Sequence, residues 1–379
     1  MKILIVSNNY YLRGNGVCTA VQALRSRLTE KGIDVRVLAC ENSEAGGAQP
    51  DYPLKHFKFP IFEPIIEANG YRYPKVDKAV IQKAVEWADV VHLMEGFPLQ
   101  STAARIASRL GKPCVGTYHI FTDNITANLG IGYDTFVNRL INKWWSSSVY
   151  NHCVCVQCPT QKVKEHLEEN GYTADLKVIT NGMTLSDPID SAKKYLDKPY
   201  RILCTGRLSN EKSQVTLLQA MTYSRHASEI EIYFAGNGPK ANKIKKAARK
   251  LYEKGIVSHK PVFDFYTPDQ LRKLAAESYL YIHCAIVEVE GLSCMEAIQQ
   301  GAVPVIAQSK LSAASQFALD ERSLFTVRKP KELAEKIDWW IEHPDERTAM
   351  GRKYSESIKQ YDAEYSTAKI IEMYEEAIG

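Results

Sequence analysis

Two carboxylates in the second half of the chain stand at a spacing that chemistry can use. The stretch from Ala285 to Ala307, AIVEVEGLSCMEAIQQGAVPVIA, reads as a turn, a helix opening near Gly291 and a short buried strand from Val303 to Ala307. On that helix Leu292, Met295, Ala297 and Ile298 face inward, Glu288 falls just before it, and Glu296 lies in its second turn. One acid in the loop at a helix N-terminus and another on the helix flank can hold hydroxyls of two parts of one ligand. A single Glu is otherwise most often a solvated surface residue. The helix N-terminus also offers backbone N–H groups to an anion, most readily where Gly291 lets a ligand come close.

Such residues need a scaffold, and alternating patterns supply one. Strands are expected at Lys2–Ser7, Asp34–Cys40, Val90–Met94, Pro113–Tyr118, through the cysteine run near Cys155, and up to Ile179. Between them helices are expected at Val17–Lys31, Val76–Trp87, Gln100–Leu110, Tyr133–Tyr150 and Thr160–Asn170. This alternation predicts an α/β fold, a parallel sheet covered on both faces with ligands collecting at the carboxyl ends of its strands. A turn-rich, charged stretch then reads as a linker over 185–198, and the pattern restarts. The second set has strands at Arg201–Thr205, Glu229–Ala235, Pro261–Phe263 and Tyr279–His283. Its helices are Ser213–Arg225, Lys240–Glu253, Pro268–Ala276, Pro330–Glu342 and Asp345–Gly351. A last helix, Ser355–Ala377, is long enough to cross back onto the first domain. The expected domains are 1–184 together with 356–379, and 199–355.

Bulk properties agree with a two-domain enzyme. A chain of 379 residues, 45% hydrophobic and 24% charged, is long for one core. The net charge of +4 gives weak support to nucleic-acid binding and is compatible with a nucleotide ligand or an anionic membrane surface. No apolar run approaches the ~18 residues of a bilayer span. MKILIVS enters a buried strand directly rather than reading as a signal peptide. Nine cysteines scattered through apolar segments suggest reduced thiols of a cytosolic protein. Cys153, Cys155 and Cys158 with His152 are metal-ligand types, but their alternation with valines predicts a buried strand rather than a zinc site.

The spacing of Glu288 and Glu296, with the tail EAIQQGAVPVIA, resembles the Glu-x7-Glu motif of the GT-B glycosyltransferases of family GT4. Four further places are similar in the family's order. NNYYLRGNGVCTAV resembles its glycine loop, GTYHI its histidine near the transferred sugar, TGRLSNEK its G-R-L-x-x-x-K, and FAGNGP its G-x-G-P turn. The resemblance implies two Rossmann-like domains facing each other across a cleft, with the C-terminal helix crossing back. It gives His119, Arg207, Lys212 and Glu288 catalytic roles: Glu288 contacts the sugar, while Arg207 and Lys212 neutralise the leaving diphosphate as a planar fork and a point charge. Gly14, Gly16, Gly236, Gly291, Leu292 and Glu296 then bind the donor, Glu296 at the ribose. Where the family usually has an aromatic residue two positions after the first Glu, this chain has Glu290.

A nicotinamide-dependent oxidoreductase is the rival reading, since Gly14-Asn15-Gly16 opens a helix and Glu41 follows the second strand. Against it, the glycines stand well beyond Ser7 and the third glycine position is Thr19. A sugar-nucleotide binder without activity is the other rival, and the presence of both Arg207 and Lys212 favours chemistry.

No Asp-x-Asp pair is present, so metal-independent transfer without a cofactor is expected, with cations and helix ends stabilising the departing nucleotide. The resemblance implies retention of anomeric configuration, with Glu288 orienting the sugar. GTYHIFTDNI, CPTQKVKEHLEENGY and VITNGM resemble the GT4 branch that glucosylates diacylglycerol, which implies that Asp123 and Asn124 line the acceptor side. Segments 54–75 and 136–150 interleave aromatic and basic residues, a composition suited to an anionic membrane surface or to packing inside the first domain. The expected activity moves glucose or galactose from UDP-glucose or UDP-galactose to a diacylglycerol- or ceramide-type lipid. It is placed in the cytoplasm, peripheral on the inner face of the cell membrane, with no nucleic-acid partner. A polysaccharide or small soluble acceptor is the alternative.

Overall fold

The apolar runs KILIV and DVRVLAC lie side by side as parallel strands, Val6 opposite Leu38, because a strand covered on both faces needs apolar residues on both. In the computed structural model, which describes residues 1–12, 14–44, 46–189 and 197–379, they belong to a unit made of Met1–Gly182 and Ala363–Gly379. Met183–Asp362 form the second unit. Of the expected linker, residues 190–196 lie outside those described.

The strands of the first unit are β1 (Lys2–Val6), β2 (Asp34–Cys40), β3 (Tyr52–Leu54), β4 (His56–Phe57), β5 (Tyr73–Pro74), β6 (Val90–Leu93), β7 (Cys114–Thr117), β8 (Cys155–Cys158) and β9 (Asp175–Val178). Among the described residues its main sheet is parallel, in the order β3-β2-β1-β6-β7-β8-β9, while β4 and β5 pair antiparallel as a separate ribbon. The second unit has β10 (Tyr200–Thr205), β11 (Ile230–Ala235), β12 (Val262–Asp264), β13 (Leu280–His283), β14 (Val287–Glu288), β15 (Val303–Gln308), β16 (Leu311–Ser312) and β17 (Leu324–Thr326). Its main sheet runs β12-β11-β10-β13-β15-β17, with β14 and β16 paired apart from it. In both sheets the order reverses beside the first strand, between β1 and β6 and between β10 and β13. Loops leaving such a point diverge and open a crevice at the carboxyl edge.

The expected single helix Ser355–Ala377 does not form. Helix Pro344–Ser357 passes into a 3-10 turn, Ile358–Tyr361, and a new helix starts at Ala363. The backbone at the break is engaged elsewhere: Met183 N donates to Tyr361 O at 2.9 Å, and Met183 and Asp362 form an isolated bridge. The expected helix Ser213–Arg225 is confined to Val215–Ala220, following a left-handed Ser213 with φ 50°. The stretch between β2 and the helix Lys78–Trp87, without assigned elements in the sequence reading, holds β3 to β5 and the helix Glu63–Ala68.

A buried polar chain ties the helix Ala363–Ile378 to the first sheet. The Thr117 hydroxyl donates to Gln157 Oε1 at 2.7 Å, so it accepts from His92 Nε2 at 2.7 Å, which leaves His92 Nδ1 to accept from the Tyr374 hydroxyl at 2.7 Å. Burial, aided by His119, pushes His92 down to about 3 and keeps it neutral. Tyr374→Phe should leave a buried ring nitrogen without its donor and cost about 1–3 kcal/mol, read by urea unfolding. An unchanged midpoint would show that the chain does not hold this helix.

Candidate active site

In the second unit, the loops leaving β10 and β13 carry the charged residues. Backbone packing fixes the first of them. Leu208 N donates to Asn237 O at 3.0 Å and Lys240 N to Leu208 O at 2.8 Å. A Cβ on Gly236 would lie 2.3 Å from Gly206 O, and one on Gly238 would lie 2.5 Å from Leu208 O. The glycines of FAGNGP therefore let two loops meet main chain to main chain, which sets the direction of Arg207 and Lys212. Arg207 pairs with buried Glu211 four residues later, and the Glu211 main-chain carbonyl accepts from Ile286 N at 2.7 Å.

Lys212 forms an ion pair with Glu288, whose Oε2 also lies 3.2 Å from His283 Nε2. Behind His283, at the end of β13, the Tyr281 hydroxyl sits 3.3 Å from His283 Nδ1, 3.1 Å from Ser293 Oγ and 2.8 Å from Thr205 Oγ1. Burial alone would raise the Glu288 carboxyl, but the Lys212 charge and the His283 imidazole outweigh it and hold the acid at about 2. Gly291 turns the chain into the helix Leu292–Gln299 with φ 103°, where a Cβ would press within 3.3 Å of Ala314 and Phe317. Leu292 packs against the core, and Glu290 is buried. Glu296 reaches solvent on the same helix, though enough protein crowds it that burial raises its carboxyl.

The first unit is organised differently. Asn15 caps the helix Gly16–Glu30, its Oδ1 accepting from Val17 N and Cys18 N, and Gly14 makes the preceding turn with φ 73°. A Cβ on Gly16 would meet nothing within 4 Å, so the site is open there. His119 follows β7; burial pushes it down to about 4, and its buried Nε2 has no hydrogen-bond partner among the described residues. A neutral imidazole with an unsatisfied nitrogen is ready for a ligand hydroxyl. Asp123 accepts from Asp134 N at 2.7 Å, and Asn124 accepts from Phe121 N at 3.1 Å at the start of its own short helix, so both have visible structural partners. Of the cysteine run, Cys155 and Cys158 lie in β8 while Cys153 ends the 3-10 turn Tyr150–His152 before it, and all three are buried. His56, Glu63 and Glu67 make a group of potential metal ligands, with Glu67 exposed.

Thus Arg207, Lys212, Glu288 and Gly291 come together around one switch point, while His119, Gly14 and Gly16 belong to the other unit. Glu211 and His283 were missed in the sequence. The spacing of Glu211 to Arg207 was a local clue, whereas nothing local marks His283 as a partner of Glu288.

Family models cover both units. Residues 14–187 match the model described as Glycosyltransferase Family 4, and residues 187–356 that described as Glycosyl transferases group 1. The catalytic domain of cholesterol-alpha-glucosyltransferase from Helicobacter pylori is 44% identical over 43% of this chain and 99% of its own, with a TM-score of 0.41. Anabaena HepE in complex with UDP matches 99% of this chain and 100% of its own at 16% identity and TM-score 0.72. Sucrose-phosphate synthase from Thermosynechococcus elongatus matches 99% of this chain and 98% of its own at 14% identity and TM-score 0.73. No curated protein matches the chain. The fold is the α/β GT-B architecture, two Rossmann-like parallel sheets with their helices. The chain is a glycosyltransferase and belongs to the GT4-like family whose two domain models it carries.

An acid held down from its ordinary 4.5 to about 2 contributes stability that is present above about pH 4.5 and is lost as pH falls toward 2. That contribution is on the order of 3 kcal/mol. Lys212→Met removes the largest lowering influence on Glu288, so stability at neutral pH should fall and the acid-induced loss should begin at higher pH. Chemical denaturation across the acid range measures this; an acid profile that overlays the parent's would mean that Lys212 does not hold Glu288.

Proposed function

We propose that the protein is a retaining, metal-independent hexosyltransferase that moves glucose or galactose from a uridine diphosphate donor to a lipid of diacylglycerol or ceramide type at a membrane surface. The observation that carries the donor half is the convergence of Arg207, Lys212, His283 and Glu288 at the β10/β13 switch point. Each cation there is balanced by an acid, so a diphosphate would exchange one anionic partner for another rather than bring charge to a neutral site. The cations themselves then stabilise the leaving diphosphate as its charge develops. Glu288 is ionised and held by two partners, which suits a group that orients sugar hydroxyls. Anabaena HepE, on the same fold, binds UDP and UDP-glucose, and the same donor class is assigned to this chain. Retention is taken from the GT4 resemblance.

The lipid half rests on exposed apolar residues of the first unit. The helix Phe136–Ser148 buries Asn138, Asn142 and Trp145 and presents Phe136, Leu140 and Trp144 outward beside exposed Arg139 and Lys143. Phe136 is 70% exposed. Segment 54–75 presents Phe57, Ile61, Phe62 and Ile65, with Ile61 79% exposed, next to exposed Lys55 and Lys58. Outward apolar residues at helical spacing flanked by cations fit a membrane interface. No helix among the described residues is long and apolar enough to cross a membrane.

Arg207→Ala should lower turnover roughly a hundredfold, measured as UDP release, and near-normal rates would make the phosphate clamp wrong. Glu296→Ala should weaken UDP binding about tenfold by calorimetry, and unchanged affinity would remove the ribose role. In liposome flotation the protein should rise with anionic vesicles and lose that behaviour when Phe136 and Leu140 are both replaced by Asp. Protein left wholly in the soluble fraction would favour a soluble acceptor.

A further inference from the structure

At the carboxyl ends of β1 and β6, the switch point of the first sheet, lies a polar cluster; Asn8 and Asn9 open the stretch NNYYLRGNGVCTAV, in which the resemblance gives roles only to Gly14 and Gly16, and it gives none to Glu95 or Gln100. Asn8 is fully buried, and neither its Oδ1 nor its Nδ2 has a hydrogen-bond partner among the described residues. Asn9 Nδ2 and Gln100 Oε1, both on buried residues, are in the same condition. Glu95, 1% exposed, joins Asn8 to Gln100: its Oε2 accepts from Asn8 N at 2.8 Å and from Gln100 Nε2 at 2.9 Å. Its Oε1 accepts from the Tyr71 hydroxyl at 2.6 Å. A buried amide without partners costs about 1–3 kcal/mol, so several at one place call for a missing partner. The unsatisfied set holds both donors and acceptors, which matches a hydroxyl, able to give and take hydrogen bonds, better than an ion of either sign.

Aromatic rings lead to this cluster from the surface. Exposed Phe57 contacts Phe59 at 4.9 Å between centroids, Phe59 contacts Tyr73 at 5.4 Å, and Tyr73 contacts Tyr71 at 5.1 Å, which ends on Glu95. The segment bearing Tyr71 is also held at Gly70 O by Asn15 Nδ2, 2.9 Å away. A row of packed aromatic rings that ends on a polar group offers the two kinds of surface that an alcohol carried on an apolar body would need, and the Tyr71 phenol already presents a hydroxyl to Glu95.

We infer that Asn8, Glu95 and Gln100 form the subsite that receives the hydroxyl of the glycosyl acceptor, with Asn8 and Glu95 touching it, Gln100 holding Glu95, and the Tyr71 phenol standing in the acceptor's place on Glu95 as a cap. Burial lifts the Glu95 carboxyl to about 7 despite the hydrogen bonds from Tyr71, Asn8 and Ser7, so near neutrality it can pair with a hydroxyl as acceptor or donor. The inference rests on the transferase reading above and gives that reading its acceptor end.

The test compares wild type, Asn8→Leu, Glu95→Gln and Tyr71→Phe. UDP affinity by calorimetry comes first. A wild type that binds no UDP overturns the donor reading and this subsite with it, before any variant is compared. With UDP-glucose as donor and dioleoylglycerol in phosphatidylglycerol vesicles as acceptor, Asn8→Leu and Glu95→Gln should raise the acceptor KM about tenfold or more while UDP affinity stays at the wild-type value. Tyr71→Phe should lower the acceptor KM. If dioleoylglycerol accepts no sugar, the same proteins are compared by hydrolysis of UDP-glucose, with water taking the acceptor's place. A fall in hydrolysis for Asn8→Leu and Glu95→Gln supports the subsite. An acceptor KM or hydrolysis rate within twofold of wild type, or UDP affinity falling in parallel, overturns it and assigns the cluster to buried water or to packing.

Discussion

Glu288 stays ionised in a partly buried site because Lys212 and His283 lie against the same oxygen, and most of the second unit serves to keep those three groups there. Charge removed from water is tolerated only when paired and hydrogen-bonded. The pairing needs the loop after β10 and the loop after β13 to run close together, which follows from adjacent parallel strands with Ile202 opposite Leu280. It also needs the loop carrying Arg207 and Lys212 to hold its course. Gly236 and Gly238 meet that need by letting main chain pack on main chain where a side chain would collide, and Gly206 by taking a φ of 119° that other residues rarely adopt. The glycines of this family motif thus have a packing reason independent of any ligand.

The first unit solves another problem with the same topology. Its switch point carries few formal charges and many amides and hydroxyls, with Glu95 as the buried acid among them. The chain from Gln157 through Thr117 and His92 to Tyr374 shows what full satisfaction looks like in this sheet, since every member has a partner and the histidine is held neutral. The cluster around Asn8 is its counterpart, in which several buried polar atoms have no partner among the described residues.

The helix Phe136–Ser148 joins the interior to the surface. Trp145 stacks edge-on against Phe97 with centroids 5.5 Å apart, and a Cβ on Gly96 would lie within 2.4 Å of its ring, so the inward face is tightly fitted. Phe136, Leu140 and Trp144 remain outside on the opposite face. Aromatic richness in the sequence therefore had two causes in one helix, which composition cannot separate and burial can.

Much of this architecture was legible in the sequence. Strands such as Asp34–Cys40 and helices such as Pro268–Ala276 and Pro330–Glu342 form with the expected bounds, because apolar period and capping chemistry act over a few residues. Arg207, Lys212, Glu288 and Gly291 were marked by spacing and by family resemblance. Tertiary structure alone decided that Lys212 pairs with an acid 76 positions away, that Asn8 rests on an acid 87 positions away, and that the last long helix breaks where Met183 takes up the backbone of Tyr361. Each of these depends on which distant strands lie next to each other and in what register, and no local pattern records that choice.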